Sequence, residues 1–170
     1  MFTVGLIRQT AAAAIAAVPI FMFAQSVSDV HVSARAKRLH DRAIVVDTHD
    51  DTPQRLLFDK TFDIGTRNKD GHVDIPRMRE GGLDALFFSI WVPSQVTGPP
   101  AVKRALDLID SVREAARTHP NDLMLANTAA DVRRAAAEHK IAALMGMEGG
   151  HIIDDDLAVL RVMPRSAYAT

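Results

Sequence analysis

Residues 141–147 read IAALMGM and run directly into Glu148-Gly149-Gly150-His151. A short stretch that is largely apolar is typical of a strand buried on both faces of a parallel sheet. Two more stretches have this character, AIVV at 43–46 and LDALFFSIWV at 83–92. We therefore predict three buried strands, and the polarity of the sequence rises where each one ends.

Helices are predicted between these strands. Asp74 is a candidate N-cap, Pro76 lies in the first turn and Gly81-Gly82 supply a stop, so 73–82 is expected to be helical. A longer helix is predicted ahead of Pro120, because apolar residues recur there at helical spacing. The members of this stripe are Val102, Leu106, Ile109, Val112 and Ala116.

Four smaller elements complete the prediction. They are an entry helix within 27–42, a brief strand at 123–125, a helix over 129–138 capped by Thr128, and a last helix that starts among 154–156.

Buried strands that alternate with helices predict βαβ units and a parallel sheet covered on both sides, so the fold class is α/β. A (β/α)8 barrel takes about 250 residues as a rule, and this chain has 170. The sequence leaves two architectures open: a small open sheet, or the N-terminal half of a TIM-like barrel.

The composition is that of an ordinary globular protein, with 48% apolar residues, 24% charged residues and a net charge of −1. A largely disordered chain is excluded, and the basic surface that binds nucleic acid is absent. Because the sequence contains no cysteine, a disulfide framework, a thiol nucleophile and a cysteine-ligated zinc are excluded. The sequence also lacks the motifs of serine hydrolases, zincin proteases and P-loop nucleotide hydrolases.

Residues 1–26 have the order of a secretory leader. Arg8 is followed by the charge-free run AAAAIAAVPIFMFA at 11–24 and by small or polar residues at 24–26. The run is shorter than the ~20 residues of a spanning helix, so membrane association is expected only through an uncleaved leader. A buried N-terminal helix is the alternative, which Pro19 would interrupt. We expect the domain at 27–170 to be exported, to the periplasm or the extracellular space.

Polar side chains follow the predicted strands, at the edge of the sheet where α/β proteins build active sites. Asp47, His49 and Asp51 are spaced two residues apart, so an extended strand would point them to one face. An imidazole nitrogen and a carboxylate oxygen on one face can bind the same divalent cation. A solvated turn with a capping aspartate is the alternative for this segment.

Glu148 follows the third strand directly and precedes two glycines, which leave space around it. A carboxylate in that place can bridge two metal ions, whereas an exposed glutamate in a Gly-Gly turn is the simpler interpretation. Three roles stay open for His151: a metal ligand, a substrate contact or a surface residue. Trp91 is expected in the core or at its rim. The remaining histidines are expected to face solvent: His31, His40, His72, His119 and His139.

Three segments carry a resemblance when they are taken in order. They are VVDTHDDTP at 45–53, HVDIPRMREGGLDALFFSIW at 72–91 and ANTAADVRRAAAEHKIAALMGMEGGH at 126–151. Together they resemble the N-terminal part of the membrane (renal) dipeptidase family of zinc peptidases. The resemblance implies a TIM-like barrel of the metallo-dependent hydrolase type. It further implies two zinc ions and a hydroxide between them that hydrolyses the peptide bond of dipeptides.

The resemblance also implies roles for individual residues. His49 and Asp51 match the family's ligands of one zinc ion, and Glu148 matches the carboxylate that bridges both ions. No catalytic role is carried over to His151, and no catalytic residue beyond the metal ligands is assigned. The family's further histidine ligands and its substrate contacts would lie beyond Thr170.

Residues 162–170 also lack the next buried strand and the Thr-His pair of the family pattern. We therefore expect a truncated or frame-shifted product that is inactive or nearly so, with open sheet edges and uncovered apolar strand faces. Two other functions stay open: a different metal-dependent amidohydrolase, such as a lactonase or deacylase, or a non-catalytic exported fragment. The dipeptide preference is not determined, and a homodimer of a full-length form also stays open.

Overall fold

The structure is a computed structural model that describes residues 31–168, with side chains as far as Met163. The chain divides into two units, Met1–Val32 and Ser33–Thr170, and every strand and helix named here belongs to the second. The predicted leader, residues 1–26, lies outside the described residues.

Strands and helices alternate along the second unit. The strands are β1 (Val46–Asp50), β2 (Ala85–Trp91), β3 (Leu123–Leu125) and β4 (Ile141–Glu148). The helices are α1 (Ala34–His40), α2 (Thr52–Phe58), α3 (Ile75–Glu80), α4 (Pro99–Thr118), α5 (Ala129–Ala137) and α6 (Leu157–Tyr168). A 3-10 turn, Gly150–Ile153, lies between β4 and α6. Within 31–168, no helix has both the length and the apolar character that crossing a membrane requires.

The four strands form one parallel sheet in the order β1-β2-β4-β3. β2 and β4 lie at its centre and pair along the whole of β2, from Ala85↔Ala142 to Trp91↔Glu148. β3 is short and pairs only with the first residues of β4. The predicted α/β class with a parallel sheet is confirmed, and the ends of β1, β2 and β4 lie at one edge of the sheet.

Both faces of the sheet carry a buried cluster. On one face, Leu86 and Phe88 of β2 join Leu108 of α4 in the larger core. On the other face, Ala85 and Ala142 join Ala135 of α5 in a smaller cluster. Successive residues of β2 therefore enter different clusters, which explains why this strand is apolar at nearly every position.

The long helix α4 is confirmed, but its buried face differs from the predicted stripe. Leu106 is 39% exposed and Val102 is only partly buried, while the other predicted members are buried. Ala101 and Ala105 are fully buried instead. Alanine lets the helix backbone approach its neighbours closely, so the buried face is centred on small residues that a search for large apolar side chains overlooks.

The first strand was predicted in the wrong place and with the wrong burial. Instead of 43–46, β1 spans Val46–Asp50, because pairing with β2 begins at Val46↔Ala85. Within the described residues β1 has a neighbour on one side only, and Ile44 and Val46 are 45% and 42% exposed. The polar segment that was predicted to follow the strand is therefore largely inside it.

The predicted helix starts agree with the structure. α3 begins after Asp74 and α5 begins after Thr128, and each of these side chains accepts a hydrogen bond from its own helix. The last helix begins at Leu157, and Asp156 Oδ1 accepts a hydrogen bond from the backbone N–H of Ala158 in its first turn at 2.7 Å. The entry helix predicted within 27–42 is the shorter α1.

Candidate metal centre

Three polar side chains from distant parts of the chain meet at the end of the sheet. One ligand atom from each of His49, Asp51 and Glu148 lies within 4.8 Å of the others. His49 Nε2 is 3.7 Å from Asp51 Oδ1 and 3.6 Å from Glu148 Oε2. The structure therefore brings together all three residues that were predicted as metal ligands, and their role as ligands stays a prediction.

An irregularity in β1 decides which of its side chains take part. Asp47 pairs with Leu86 and Asp50 pairs with Phe88, so β1 has one more residue than β2 between these pairs. Such a bulge interrupts the alternation of side chains, and it places Asp47 and Asp50 opposite residues of the same face of β2. The prediction that Asp47 points with His49 and Asp51 is wrong for Asp47, because the alternation that it assumed does not hold through a bulge.

Two aspartates beside the cluster bind backbone groups. Asp47 Oδ1 accepts the backbone N–H of His49 at 3.0 Å, and Asp50 Oδ1 accepts the backbone N–H of Thr52 at 2.9 Å. Asp51 occupies the N-cap position of α2, but its side chain makes no capping hydrogen bond. The carboxylate of Asp51 is therefore available to the cluster, while its neighbours fix the backbone around it.

Glu148 is the last residue of β4, and a buried serine supports it. Ser89 of β2 is 2% exposed, and its hydroxyl donates a hydrogen bond to Glu148 Oε2 at 2.8 Å. Ser89 was not among the predicted site residues. The sequence feature that could have identified Ser89 is its position as a single hydroxyl residue in the otherwise apolar stretch ALFFSIWV at 85–92.

A pocket of about 220 Å³ adjoins the cluster and is lined by Asp51, Gln54, Trp91 and Glu148. Gln54 Nε2 donates a hydrogen bond to the backbone carbonyl of Trp91 at 2.9 Å, so this side chain ties α2 to the end of β2. Trp91 is 38% exposed, which places it at the rim rather than in the core. Gln54 was also not among the predicted site residues, and its local sequence contains no motif that would indicate a site.

His151 lies in the 3-10 turn after Glu148 and is not a member of the cluster. Its Nε2 is buried and has no hydrogen-bond partner among the described residues. Gly149 has a φ of +95°, and a Cβ there would lie 2.6 Å from His151 Cε1. The imidazole thus packs over a backbone position that only glycine fills without strain.

The other histidines are mostly exposed, as predicted. His119 is the exception, since its side chain is only 24% exposed and its Nε2 lies 3.3 Å from Asp63 Oδ1. Burial of a histidine in a charged loop context depends on a partner distant in sequence, which the local pattern does not show.

The donor set fits a divalent cation of intermediate softness. One imidazole nitrogen and two carboxylates are ligands that zinc accepts, at about 2.1 Å. Two such atoms on one tetrahedral ion lie about 3.4 Å apart. The observed separations of 3.6 and 3.7 Å from His49 Nε2 are close to that value, and all three ligand atoms lie within 4.8 Å of one another, so the spacing around His49 suits one ion.

Comparison with known families and sequences gives a consistent result. A sequence profile of the family described as "Membrane dipeptidase (Peptidase family M19)" matches residues 33–166. Dipeptidase 3 of Mus musculus is 34% identical over 138 residues, which are 79% of this chain and 27% of the mouse protein. The rat protein of the same name is equally similar. The chain thus spans about a quarter of the length of the curated relatives it matches.

Solved structures agree with the sequence comparison. A metallopeptidase described as dipeptidase AC superposes with a TM-score of 0.65 at 30% identity, covering 72% of this chain and 40% of that one. A metallopeptidase from Rhodobacter sphaeroides, "liganded with phosphinate mimic of dipeptide L-Ala-D-Ala", gives 0.63 at 28% identity, covering 71% of this chain and 42% of that one. Of the two open architectures, the parallel sheet is therefore part of a TIM-like barrel.

Proposed function

The chain belongs to the membrane dipeptidase family, peptidase family M19, and from this membership we propose that its cluster is part of the active site of a zinc-dependent dipeptidase. The family places the chain among metallopeptidases, which are hydrolases. The observation that carries the proposal is the convergence of His49, Asp51 and Glu148 within 4.8 Å.

The three side chains have different roles in the proposed metal site. His49 and Asp51 come from one end of β1 and would hold one ion between them. Glu148 has two carboxylate oxygens, so it can serve that ion and a second one at the same time. Zinc held by these residues would supply a Lewis acid that polarises the scissile carbonyl and activates water as the nucleophile.

The proposed substrate is a dipeptide. The Rhodobacter sphaeroides neighbour was solved with a phosphinate mimic of L-Ala-D-Ala, which supports a small peptide as the ligand of this type of site. In this chain, the pocket beside the cluster is lined by Gln54 and Trp91, so these two residues would contact a substrate bound next to the metal.

Zinc binding by the 170-residue chain tests the proposal. We expect the chain to hold zinc in competition with a chromophoric chelator, and we expect His49→Ala, Asp51→Ala and Glu148→Ala each to weaken that binding strongly. His72→Ala is the matched control, because His72 is an exposed histidine outside the cluster and should leave the affinity unchanged. Equal binding by all of these variants would contradict the proposed site.

Ligand binding tests the dipeptidase assignment separately. A phosphinate analogue of L-Ala-D-Ala is expected to bind the zinc-loaded chain in calorimetry, and to lose binding when zinc is removed or His49 is replaced by alanine. Preferential binding of lactones or N-acyl amino acids would instead indicate another amidohydrolase.

Export is the proposed localisation, and it rests on the leader pattern of residues 1–26. Expression with these residues should deliver the protein outside the cytoplasm, and N-terminal sequencing of the exported protein should begin near Gln25 or Val27. Recovery of an intact N-terminus in the cytoplasmic fraction would contradict the leader.

A further inference from the structure

Ser89 is a buried polar residue beside the cluster, and the proposed function leaves it without a role. It lies on β2, the strand that pairs on both sides, with β1 and with β4. Its side chain is among the few buried polar groups of the described residues. Burying a hydroxyl group is unfavourable unless it is hydrogen-bonded, and here its partner is the carboxylate of Glu148 at 2.8 Å.

The register of the sheet sets this contact. Ser89 pairs with Gly146, and Glu148 lies two residues further along β4 on the same face. A Cβ built at Gly146 would meet no other atom within 4 Å. Open space therefore lies over Gly146, the residue that pairs with Ser89 in the neighbouring strand.

The hydrogen bond leaves the carboxylate able to bind metal. An ionised carboxylate has two oxygens and about four lone-pair positions, and Ser89 uses one of them. Oε2, the oxygen that Ser89 contacts, is also the one that lies 3.6 Å from His49 Nε2. The bond therefore fixes the oxygen that faces the imidazole and leaves Oε1 for other ligands.

Without this bond Glu148 would be poorly held. Its side chain is 47% exposed and stands at the end of a strand, where several rotamers are open to it. Ordering such a side chain costs conformational entropy, and this cost would lower the affinity for metal. A hydroxyl on a buried central strand pre-orders the carboxylate before metal arrives.

We propose that Ser89 is a positioning residue of the metal centre, which raises metal affinity by holding the carboxylate of Glu148 toward His49. This inference rests on the proposed zinc-binding role of Glu148. Ser89 itself touches neither metal nor substrate in this account, and its effect passes entirely through Glu148.

The first test is the zinc affinity of Ser89→Ala in the 170-residue chain, measured by chelator competition. Removing a residue that hydrogen-bonds to a metal ligand weakens metal affinity by about 10–100-fold, and we expect Ser89→Ala to weaken zinc binding within that range. Ser111→Ala is the matched control, because the Ser111 hydroxyl donates to the backbone carbonyl of Leu108 at 2.7 Å within α4. This control should bind zinc as the unmodified chain does.

A double-mutant cycle separates positioning from a general effect on folding. In the Glu148→Ala background the hydroxyl has no carboxylate to hold, so adding Ser89→Ala should leave the residual zinc affinity of His49 and Asp51 unchanged. Cobalt substitution gives a second readout that does not depend on activity, since Ser89→Ala should alter the cobalt absorption bands of the otherwise unmodified site.

The outcomes distinguish the two proposals. If the unmodified chain binds no zinc, the proposed metal centre fails and the inference about Ser89 fails with it. If the chain binds zinc and Ser89→Ala binds it equally well, the metal centre stands and the role of Ser89 is overturned. An equal loss from Ser89→Ala with and without Glu148 would also overturn it, because the effect would then not pass through the carboxylate.

Discussion

Three aspartates within five residues of β1 and the start of α2 have different tasks. Asp47 and Asp50 accept backbone N–H groups, whereas the carboxylate of Asp51 faces the cluster. Residue type alone does not separate them, since all three are aspartates in the same polar stretch. Their roles follow from the bulge, which gives each carboxylate a different set of neighbours.

We predict that Asp47→Ala weakens zinc binding, although Asp47 is not a member of the cluster. Its carboxylate holds the backbone of His49, and loss of one such hydrogen bond is worth about 1 kcal/mol, or about fivefold in affinity. Asp47→Asn keeps an oxygen acceptor and should bind zinc nearly as well as the unmodified chain. If both variants lose affinity equally in chelator competition, the charge of Asp47 matters and not its hydrogen bond.

At the scale of elements, α3 depends on a fully buried carboxylate. Asp74 is 0% exposed and accepts the backbone N–H groups of Arg77 and Asn68 at 2.9 and 3.1 Å. The guanidinium of Arg77 forms an ion pair with it. One side chain thus caps the helix and anchors the loop that precedes it.

We predict that Asp74→Ala lowers the free energy of unfolding by about 2–4 kcal/mol, because it removes a cap and leaves buried donors and a cation without their partner. Urea unfolding followed by circular dichroism measures this change. Asp107→Ala is the control, since its ion pair with Lys103 is exposed and should contribute less than about 1 kcal/mol. Equal effects of the two substitutions would contradict the role of Asp74.

The lowered pKa values of Asp74 and Asp59 predict how the stability of the fold depends on pH. Burial alone would raise the pKa of Asp74, but hydrogen bonds from the backbone of Arg77 and Asn68 and the charge of Arg77 outweigh it and lower the pKa. The Asp59 carboxylate has its pKa lowered to about 2 by the Thr61 hydroxyl and by Arg55. Since folding lowers both pKa values, the stabilisation is present above the unfolded pKa of about 3.9 and is lost as the pH falls through the folded values.

We therefore expect the urea midpoint to fall as the pH is lowered below about 4. Asp74→Asn retains an acceptor oxygen but does not titrate, so its midpoint should fall less steeply than that of the unmodified chain. Parallel curves for the two proteins would show that Asp74 has the same pKa in the folded and unfolded states.

At the scale of the molecule, the described residues contain part of a barrel and part of the proposed metal site. Ile44, Val46 and Leu144 line an open apolar cavity of about 460 Å³ on the face of the smaller core cluster. The cluster beside the sheet edge has three candidate ligand residues. Three protein ligands are few for two zinc ions, because one catalytic zinc takes three by itself.

We accordingly predict that the purified 170-residue chain hydrolyses dipeptides of the Gly-D-Phe type slowly or not at all, even with added zinc. The chain is expected to bind a first zinc ion much more tightly than a second. Metal analysis and a hydrolysis assay check the two statements. Rapid turnover that disappears in His49→Ala would contradict the prediction and would show that the cluster suffices for catalysis.

The sequence by itself determined most of the helices and strands of this protein, although it misplaced β1 and did not indicate α2. Apolar runs such as 141–147 mark the strands, and capping residues such as Asp74 and Thr128 mark where helices begin, because these preferences act between neighbours along the chain. His49, Asp51 and Glu148 were predicted from their places where strands end, together with the resemblance to the family.

Only the tertiary structure decided how those elements fit together. The bulge that separates Asp47 from His49, the exposure of β1 at the edge of the described sheet and the bond from Ser89 to Glu148 all depend on strand register. Register joins residues that are far apart in sequence, and its energy comes from many small contacts that no local pattern contains. A shift of one residue in register would move each of these side chains to the other face of the sheet. The candidate ligands could therefore be predicted from local sequence, but the hydrogen bond from Ser89 that supports Glu148 could not.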